Sequence, residues 1–317
     1  MTEPWILPSH FEDILPEQGW RFEEIRQEIL TIFRGYGYHY IAPSLMESQS
    51  STQAVSGWDL DELSFRTSDP QTGQNLSLRA DMTLQAARID SHTLSHQAIN
   101  RLCYAGSVVH TRPEGLGATR EPHQIGAELF GVTDISADLE ILKIMLAALA
   151  KISLSSLTLD VGHVGIYKGL VEWGELSPDQ EKSWFLALQA KDRPQLKSLA
   201  QHGPTEVGQI LCRLPDWSGD PSVLEEARRL LPPVPQIHQA LSQIEQVVQA
   251  HPTLRVNVDL SELRGYGYHS GLVFAVYQDH FALPVARGGR YDDIGKFFGH
   301  ARPATGFSMD LRYLLGL

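Results

Sequence analysis

The chain has 317 residues, 42% of them hydrophobic and 20% charged, with a formal charge of −12. That length suits one large globular domain, or one domain carrying a substantial insertion. The acidic balance argues against tight RNA or DNA binding, short of a basic groove set in an acidic protein, and every apolar run falls short of the ~20 residues that span a bilayer.

The N-terminal MTEPWILPSHFEDILPEQ lacks the basic start and apolar stretch of a signal peptide. Two widely separated cysteines, Cys103 and Cys212, without a CxxC, fit a reducing cytoplasm and read as buried packing residues. After the Pro-rich entry, Ile25, Ile29, Ile32 and Phe33 recur at helical spacing, with Gly35 as a stop. YHYIAPSL reads as a strand broken by Pro43, and FRTSDPQTGQNLSLRADMT as a hairpin turned at Asp69–Gly73 with a strand ending at Arg79. Two further strands, Arg101–His110 and Gln124–Val132, flank a loop rich in Gly, Arg and Glu. DLEILKIMLAALAKI places Leu139, Leu142, Met145, Leu146 and Leu149 on one helix face, and LTLDV is a short strand.

From about His163 to His251 strand signals vanish, and prolines mark helix edges (Pro178, Pro194, Pro204, Pro215, Pro221, Pro232, Pro233, Pro235). Ile237, Leu241, Ile244 and Val248 mark the last helix of this inserted helical subdomain. LRVNVDL then alternates, with Leu254, Val256, Val258 and Leu260 facing one way. GLVFAVYQ and FALPVA follow as strands ending in ARGGRYDDI, and the chain closes on the strand ATGFSM and the short helix DLRYLLGL. RGYGYH occurs twice, at Arg34–His39 and Arg264–His269, with flanks too different for a duplicated domain. Mostly antiparallel strands with helices before and between them predict an α+β protein. The predicted division is a core over 1–162 and 252–317 and the helical insertion over 163–251.

Four polar clusters stand at strand ends or turns: LRADMT, HQIGAE, LRGYGYH and ARGGRYDD. Strand alternation puts Gln124, Gly126 and Glu128 on one face, with Gly126 leaving room between two polar side chains. With Asp81, Arg264, Tyr268 and Tyr291 the set suits a small zwitterion: carboxylates and amides for an ammonium or imidazole N–H, an arginine for a carboxylate. Taken singly, each residue reads as a solvated strand end or a structural ion pair. Their joint occurrence favours a site. His92 and His96 have a metal-like spacing without the zincin Glu, and Asp292-Asp293 sit in a turn, so no metal and no cofactor is predicted.

The order and wording of these segments resemble the catalytic domain of histidyl-tRNA synthetase, a class II fold, over nearly the whole chain. EDILPEQ resembles that family's N-terminal signature, and YIAPSLME, with Pro43 and Glu47, the dimer-forming motif 1. RLCYAGSVVHTRPEG…REPHQIGAELFG is similar to motif 2 and its extension. LRGYGYHSGLVF and ARGGRYDD resemble the two histidine-recognition segments, and PATGFSMDLRYL lies where motif 3 belongs. The resemblance implies a mostly antiparallel class II sheet flanked by helices, with 163–251 matching the family's insertion.

Departures from the pattern change the implied function. The Phe-Arg-x-Glu run of motif 2 is Val109-His110-Thr111-Arg112, so His110 stands for the arginine that grips the ATP α-phosphate and Arg112 for the acidic residue. In motif 3 the arginine that packs on ATP is Tyr313. Each lost charge-assisted phosphate contact forfeits about 1.5–3 kcal/mol in binding, and on the order of 10²–10³ in adenylation rate. The chain ends on the motif 3 helix, with no anticodon-binding domain and no expected tRNA partner.

The implied histidine contacts remain. Gln124 and Glu128 stand where the synthetases meet the amino group and ring. Asp81 replaces a Glu, with Thr83 beside it; Arg264, Tyr268 and Tyr291 are kept, and His269 stands for a second Tyr. This pattern is similar to the family of synthetase paralogues that serve as regulatory subunits of ATP phosphoribosyltransferase, the first enzyme of histidine biosynthesis. Some members are longer, with a small C-terminal domain, so this chain is either naturally short or truncated. The resemblance implies a non-catalytic cytoplasmic subunit that activates a short catalytic partner and confers inhibition by L-histidine. It also implies a homodimer through motif 1 within a hetero-oligomer, a hetero-octamer. Two other readings stay open: an atypical adenylate-forming enzyme using Arg120, Arg264 or Arg112 for phosphate, and a scaffold whose histidine residues are inert.

Overall fold

A computed structural model describes residues 6–50, 62–115, 117–152, 154, 156–202 and 205–316. The segments at 1–5 and 51–61, together with Leu116, Ser153, Ser155, Gly203, Pro204 and Leu317, therefore lie outside the described residues. The chain divides into two compact units: Met1–Ser155 with Gln278–Arg287 and Asp292–Leu317, and Ser156–Tyr277 with Gly288–Tyr291.

The first unit opens with helix α1 (Pro16–Gly35), which starts on a proline and buries Phe22, Ile29 and Phe33. Pro at the first helical position costs nothing, because its missing N–H has no intrahelical acceptor there. Gly37, at φ +84°, turns the chain out of the helix into β1 (His39–Tyr40). The strand expected over YHYIAPSL is thus only two residues long, running parallel to its neighbour before Pro43 removes a ladder donor. β2 (Met46–Ser48), β3 (Arg66–Ser68) and β4 (Asn75–Leu78) form a small antiparallel sheet in the order β2-β4-β3. The β3–β4 turn falls where the sequence places it, with Asp69 accepting from Gln71 N and Thr72 Oγ1. Helix α2 (Thr83–Arg88) follows and runs into a π-helical turn, Ile89–Thr93.

β5 (Asn100–Ser107) and β6 (His123–Phe130) pair antiparallel. Helix α3 (Ser136–Lys151) packs on β6 and on α1. Its buried side is Ile141, Leu142, Ile144, Met145, Ala148 and Leu149, with Leu139 and Leu146 only half-buried, a correction to the face read from the sequence. The helix is covered from two directions, by the sheet and by α1, so a single heptad stripe does not describe its contacts. Arg101 on β5 grips Glu140 on α3 through both oxygens at 2.7 and 2.8 Å.

In the second unit, β7 (Leu157–His163) leads into α4 (Val164–Trp173), whose N-terminus is capped by His163 Nδ1 accepting from Gly165 N. Helices α5 (Pro178–Gln189), α6 (Arg193–His202) and α7 (Thr205–Arg213) follow, α5 starting on a Ser177–Gln180 capping box. The stretch read as mostly helical is so, with one short strand, β8 (Ser218–Gly219), where no strand signal was seen. Helices α8 (Val223–Leu230) and α9 (Pro235–Ala250) lead to β9 (Arg255–Asp259), which lies between β7, parallel, and β8, antiparallel. Val256, Val258 and Leu260 are buried, as alternation requires. β10 (Leu272–Gln278) ends this part of the chain.

The next strand, β11, is Ala286–Arg290, so residues 281–285 of FALPVA, read as strand from the sequence, are irregular and the strand begins only at the last residue of that run. Pro284 has no ladder N–H, and the Leu283 N–H goes to the Tyr313 hydroxyl instead. Back in the first unit, β12 (Ala304–Asp310) pairs antiparallel with β6, and α10 (Leu311–Leu315) closes the described chain. The architecture is α+β, with the strand order β1-β5-β6-β12 in the first unit. Cys103 is buried as expected, whereas Cys212 is only half-buried. No helix among the described residues is long and apolar enough to cross a membrane.

Candidate functional site

The two faces of β6 have different jobs. Phe307 on β12 lies opposite Ala127 and meets the ring of Phe33 from α1 at 5.8 Å, so Ile125, Ala127 and Leu129 form the face toward the helices. Gln124, Gly126 and Glu128 therefore share the opposite face, as the alternation predicts. The register sets Tyr104 of β5 and Ser308 of β12 opposite Gly126, and Leu102 and Gly306 opposite Glu128. A Cβ at Gly126 would lie 2.7 Å from the Tyr104 hydroxyl, and one at Gly306 would overlap the Glu128 carboxylate. Both glycines are room for polar side chains that cross the sheet face.

Those side chains form a closed network. Tyr104 Oη donates to Glu128 Oε1 at 2.8 Å and lies 3.1 Å from Thr83 Oγ1, from which it accepts. Glu128 is 1% exposed and Tyr104 fully buried. Burial, reinforced by the negative charges of Glu128 and Asp81, holds the Tyr104 phenol well above its usual range, so it stays a donor. Gln124 Nε2 donates to Asp81 Oδ2 at 2.8 Å, and Asp81 Oδ1 accepts from Thr83 N at 2.6 Å at the start of α2. Asp81, Thr83, Gln124 and Glu128 are thus one constellation, brought together as the sequence expects. Tyr104 is the member that sequence reasoning missed.

Asp81 and Gln124 also line a cavity of about 110 Å³ together with His110, Tyr313, Glu114 and Arg287. His110 is buried; its Nε2–H donates to Ala80 O at 2.9 Å, and its Nδ1 has no partner among the described residues. The Tyr313 hydroxyl accepts from Leu283 N at 2.8 Å. Arg112 lies apart from this lining, paired on the surface with Glu62 at 3.4 Å. The Arg120 guanidinium sits over the rings of Phe11 and Phe65 at 4.8 and 5.1 Å, committed to loop packing. Arg287 and Glu114 form a two-pronged ion pair at the cavity wall.

The remaining residues of the sequence prediction, Arg264, Tyr268, His269 and Tyr291, belong to the second unit. Arg264 follows a turn in which Glu262 Oε1 accepts the Arg264 N–H at 2.7 Å. Glu262 Oε2 takes Nε and Nη2 of the guanidinium at 3.0 and 2.5 Å, and the Tyr277 hydroxyl takes Nη1 at 2.8 Å. Burial works to lower the guanidinium's pKa, and the Glu262 pair overrides it, so the net shift is upward. His269 is buried, with Nδ1–H donating to Arg264 O at 3.0 Å; desolvation brings its pKa down to about 4, so it is neutral near pH 7. Tyr268 is exposed, its ring 4.3 Å from that of His269, and Tyr291 is buried. Glu262 and Tyr277 were not singled out in the sequence, though an acid two residues before the arginine was a local signal for the first.

Among the described residues no group of three or more His, Cys, Asp or Glu could hold a metal ion. Asp292 accepts from Ala304 N at 3.1 Å and Asp293 pairs with Lys296 at 2.6 Å, both structural uses.

The histidyl-tRNA synthetase family profile matches residues 10–314. A relative named ATP phosphoribosyltransferase regulatory subunit, from Methylobacillus flagellatus, is 46% identical over 97% of this chain and 80% of its own length. One of the same name from Thiobacillus denitrificans is 46% identical over 98% of this chain and 97% of its own. Among solved structures, an ATP phosphoribosyltransferase regulatory subunit/histidyl-tRNA synthetase from Bacillus halodurans superposes with a TM-score of 0.88 at 28% identity, covering 100% of this chain and 84% of that one. The ATP phosphoribosyl transferase (HisG:HisZ) complex from Thermotoga maritima shares the fold, with a TM-score of 0.68 at 19% identity over 94% of this chain and 98% of that one. The chain belongs to the histidyl-tRNA synthetase-like family of ATP phosphoribosyltransferase regulatory subunits.

Proposed function

We propose that this chain is the non-catalytic regulatory subunit of ATP phosphoribosyltransferase, acting in the cytoplasm on a short catalytic subunit, with L-histidine as its feedback effector. The observation that carries the first part is the 46% identity to regulatory subunits over nearly the whole chain. Support for the effector is chemical: Asp81, Thr83, Gln124 and Glu128 keep a polar network suited to an ammonium and an imidazole N–H, in a family that handles histidine. Arg264, Tyr268, His269 and Tyr291 are proposed as further histidine contacts. His110, Arg112 and Tyr313 are read as the remnant of an ATP site. His110 and Tyr313 present no phosphate-gripping guanidinium, and Arg112 is turned to Glu62.

The 163–251 stretch is proposed as an insertion in a synthetase-like core formed by 1–162 and 252–317. Pairing of two copies through the motif 1 region, within a hetero-octamer, completes the proposal. Regulation requires histidine to bind the inhibited and active assemblies unequally, with a coupling of ~1–3 kcal/mol typical of such systems.

The test is phosphoribosyl-ATP formation by the short catalytic subunit, with and without this chain, across a histidine titration. Stimulation reversed by histidine is the expected result. Stimulation indifferent to histidine leaves a scaffold. ATP–pyrophosphate exchange by the chain alone would favour an adenylate-forming enzyme instead.

A further inference from the structure

The loop Leu263–His269 carries Arg264, Tyr268 and His269, yet its central residue, Tyr266, is used elsewhere. The Tyr266 hydroxyl donates to Glu181 Oε1 on α5 at 2.7 Å. Its ring stacks on Phe185, also on α5, at 5.2 Å and 29°, and takes Tyr167 of α4 edge-on at 5.2 Å. Tyr167 in turn donates to the backbone oxygen of Glu181 at 2.6 Å, which ties α4 to the first turn of α5. Lys168 adds a second tether: its ammonium lies 5.4 Å over the Tyr266 ring and donates to His269 O at 2.9 Å. The loop is thus fastened to two helices, once by a side chain and once by its backbone.

Within itself the loop is a compact body. Tyr266 N donates to Leu263 O, and Tyr268 N and His269 N both donate to Gly265 O, with Gly265 at φ +64°. The His269 ring closes onto Arg264 O at 3.0 Å. Four backbone and side-chain bonds therefore hold Arg264 and His269 in one body with Tyr266, so a displacement of either is passed to Tyr266. Packed elements of this kind shift between discrete arrangements rather than deform continuously.

We infer that Tyr266, Glu181 and Lys168 are positioning residues for the Arg264–His269 loop, and that occupancy of this loop by a carboxylate-bearing effector is carried into helix α5. The inference rests on the reading of the loop as a histidine contact. Neither Tyr266 nor Glu181 touches the effector; each acts through the loop.

The experiment is amide hydrogen exchange over 178–189 in the full chain with its catalytic subunit, with and without saturating L-histidine, alongside calorimetric titration of histidine. In the wild type, bound histidine slows exchange across 178–189 by about tenfold, within the range of ordinary site-to-site coupling. Y266F keeps the ring packing and loses the hydroxyl contact; it binds histidine about tenfold more weakly and shows no protection of 178–189 at saturation. E181A behaves as Y266F, whereas E181Q, which keeps an acceptor, stays close to wild type. That rescue separates positioning from general loss of structure. Should Y266F fail to fold, K168M reads the same coupling through the His269 carbonyl tether.

Histidine bound to the wild type with unchanged exchange over 178–189 overturns the inference alone, as does Y266F with unaltered affinity and protection. No histidine binding by the wild-type assembly overturns the sensing reading, and this inference with it.

Discussion

Gln124 joins the sheet to the start of α2 through both ends of its amide: Nε2 donates to Asp81 Oδ2 at 2.8 Å, and Oε1 accepts from Met82 N at 2.8 Å. The backbone donor fixes which amide atom is oxygen. A carboxylate at this position keeps the Met82 contact but sets a second negative charge against Asp81, at a residue only 7% exposed. Q124E should therefore cost about 1–3 kcal/mol of unfolding free energy at pH 7. The deficit should shrink at about pH 5, where a proton on the introduced carboxyl relieves the like-charge contact. Urea denaturation of both proteins at both pH values checks this; a deficit independent of pH would show that shape rather than charge is at fault.

The glycines opposite these side chains make a sharper steric claim. A Cβ at Gly306 meets the Glu128 carboxylate and the backbone oxygen of Ala127, whereas one at Gly267 meets nothing within 4 Å. G306A should destabilise the fold by about 1–3 kcal/mol, the usual cost of overpacking. G267A should change stability by less than about 0.5 kcal/mol, as surface substitutions usually do. Equal effects in the two variants, measured by denaturant midpoint, would mean that the space at Gly306 is not reserved for Glu128.

Much of this site was legible because period two is a strong signal. The alternation of Gln124, Gly126 and Glu128 placed three residues on one face without any knowledge of their neighbours. Tyr104 was not legible in the same way. Its role depends on register, and nothing in the β5 segment says that position 104 falls opposite Gly126. The face of α3 failed for a related reason: a one-sided stripe was expected where α1 and the sheet cover two sides, burying Ile141, Ile144 and Ala148 as well. FALPVA looked like a strand by composition, but Pro284 withholds a donor and Leu283 N is claimed by Tyr313. The tether of Tyr266 to Glu181 spans 85 residues of sequence, a separation no local pattern encodes.

The two thiols should differ in reactivity. Burial alone pushes the Cys103 thiol up to about 12, and the side chain is 2% exposed, so almost no thiolate is present or reachable at pH 8. Cys212 is half-buried on α7. A disulfide reagent at pH 8 should label one cysteine promptly in the native chain, and peptide mapping should identify it as Cys212. The second equivalent should appear only on unfolding. Prompt labelling of Cys103 would contradict the burial of β5.

Two histidines should make the fold acid-sensitive. Burial lowers the His123 imidazole to about 4, helped by the nearby positive charges of Arg26 and Arg312. Burial likewise brings His269 to about 4, with the Arg264 carbonyl opposing and Lys168 reinforcing the shift. In an unfolded chain a histidine titrates near ~6.5. Between those values the unfolded state holds more protons than the folded state, so stability rises with pH across the window and is lost as pH falls from about 6.5 to 4. Each unit of difference is worth about 1.4 kcal/mol, which bounds the effect at roughly 3 kcal/mol per histidine. Asp310, whose carboxyl is raised by burial, contributes with the opposite sign as pH falls, so the raw curve mixes both. The slope difference between wild type and H123N isolates the histidine. Denaturant midpoints at pH 7, 6 and 5 should fall more steeply for the wild type than for H123N, whatever the variant's stability at pH 7. Parallel slopes would mean that His123 takes up its proton equally well in the folded chain, and that its packing against the Phe22 ring, 4.9 Å away, is looser than this geometry implies.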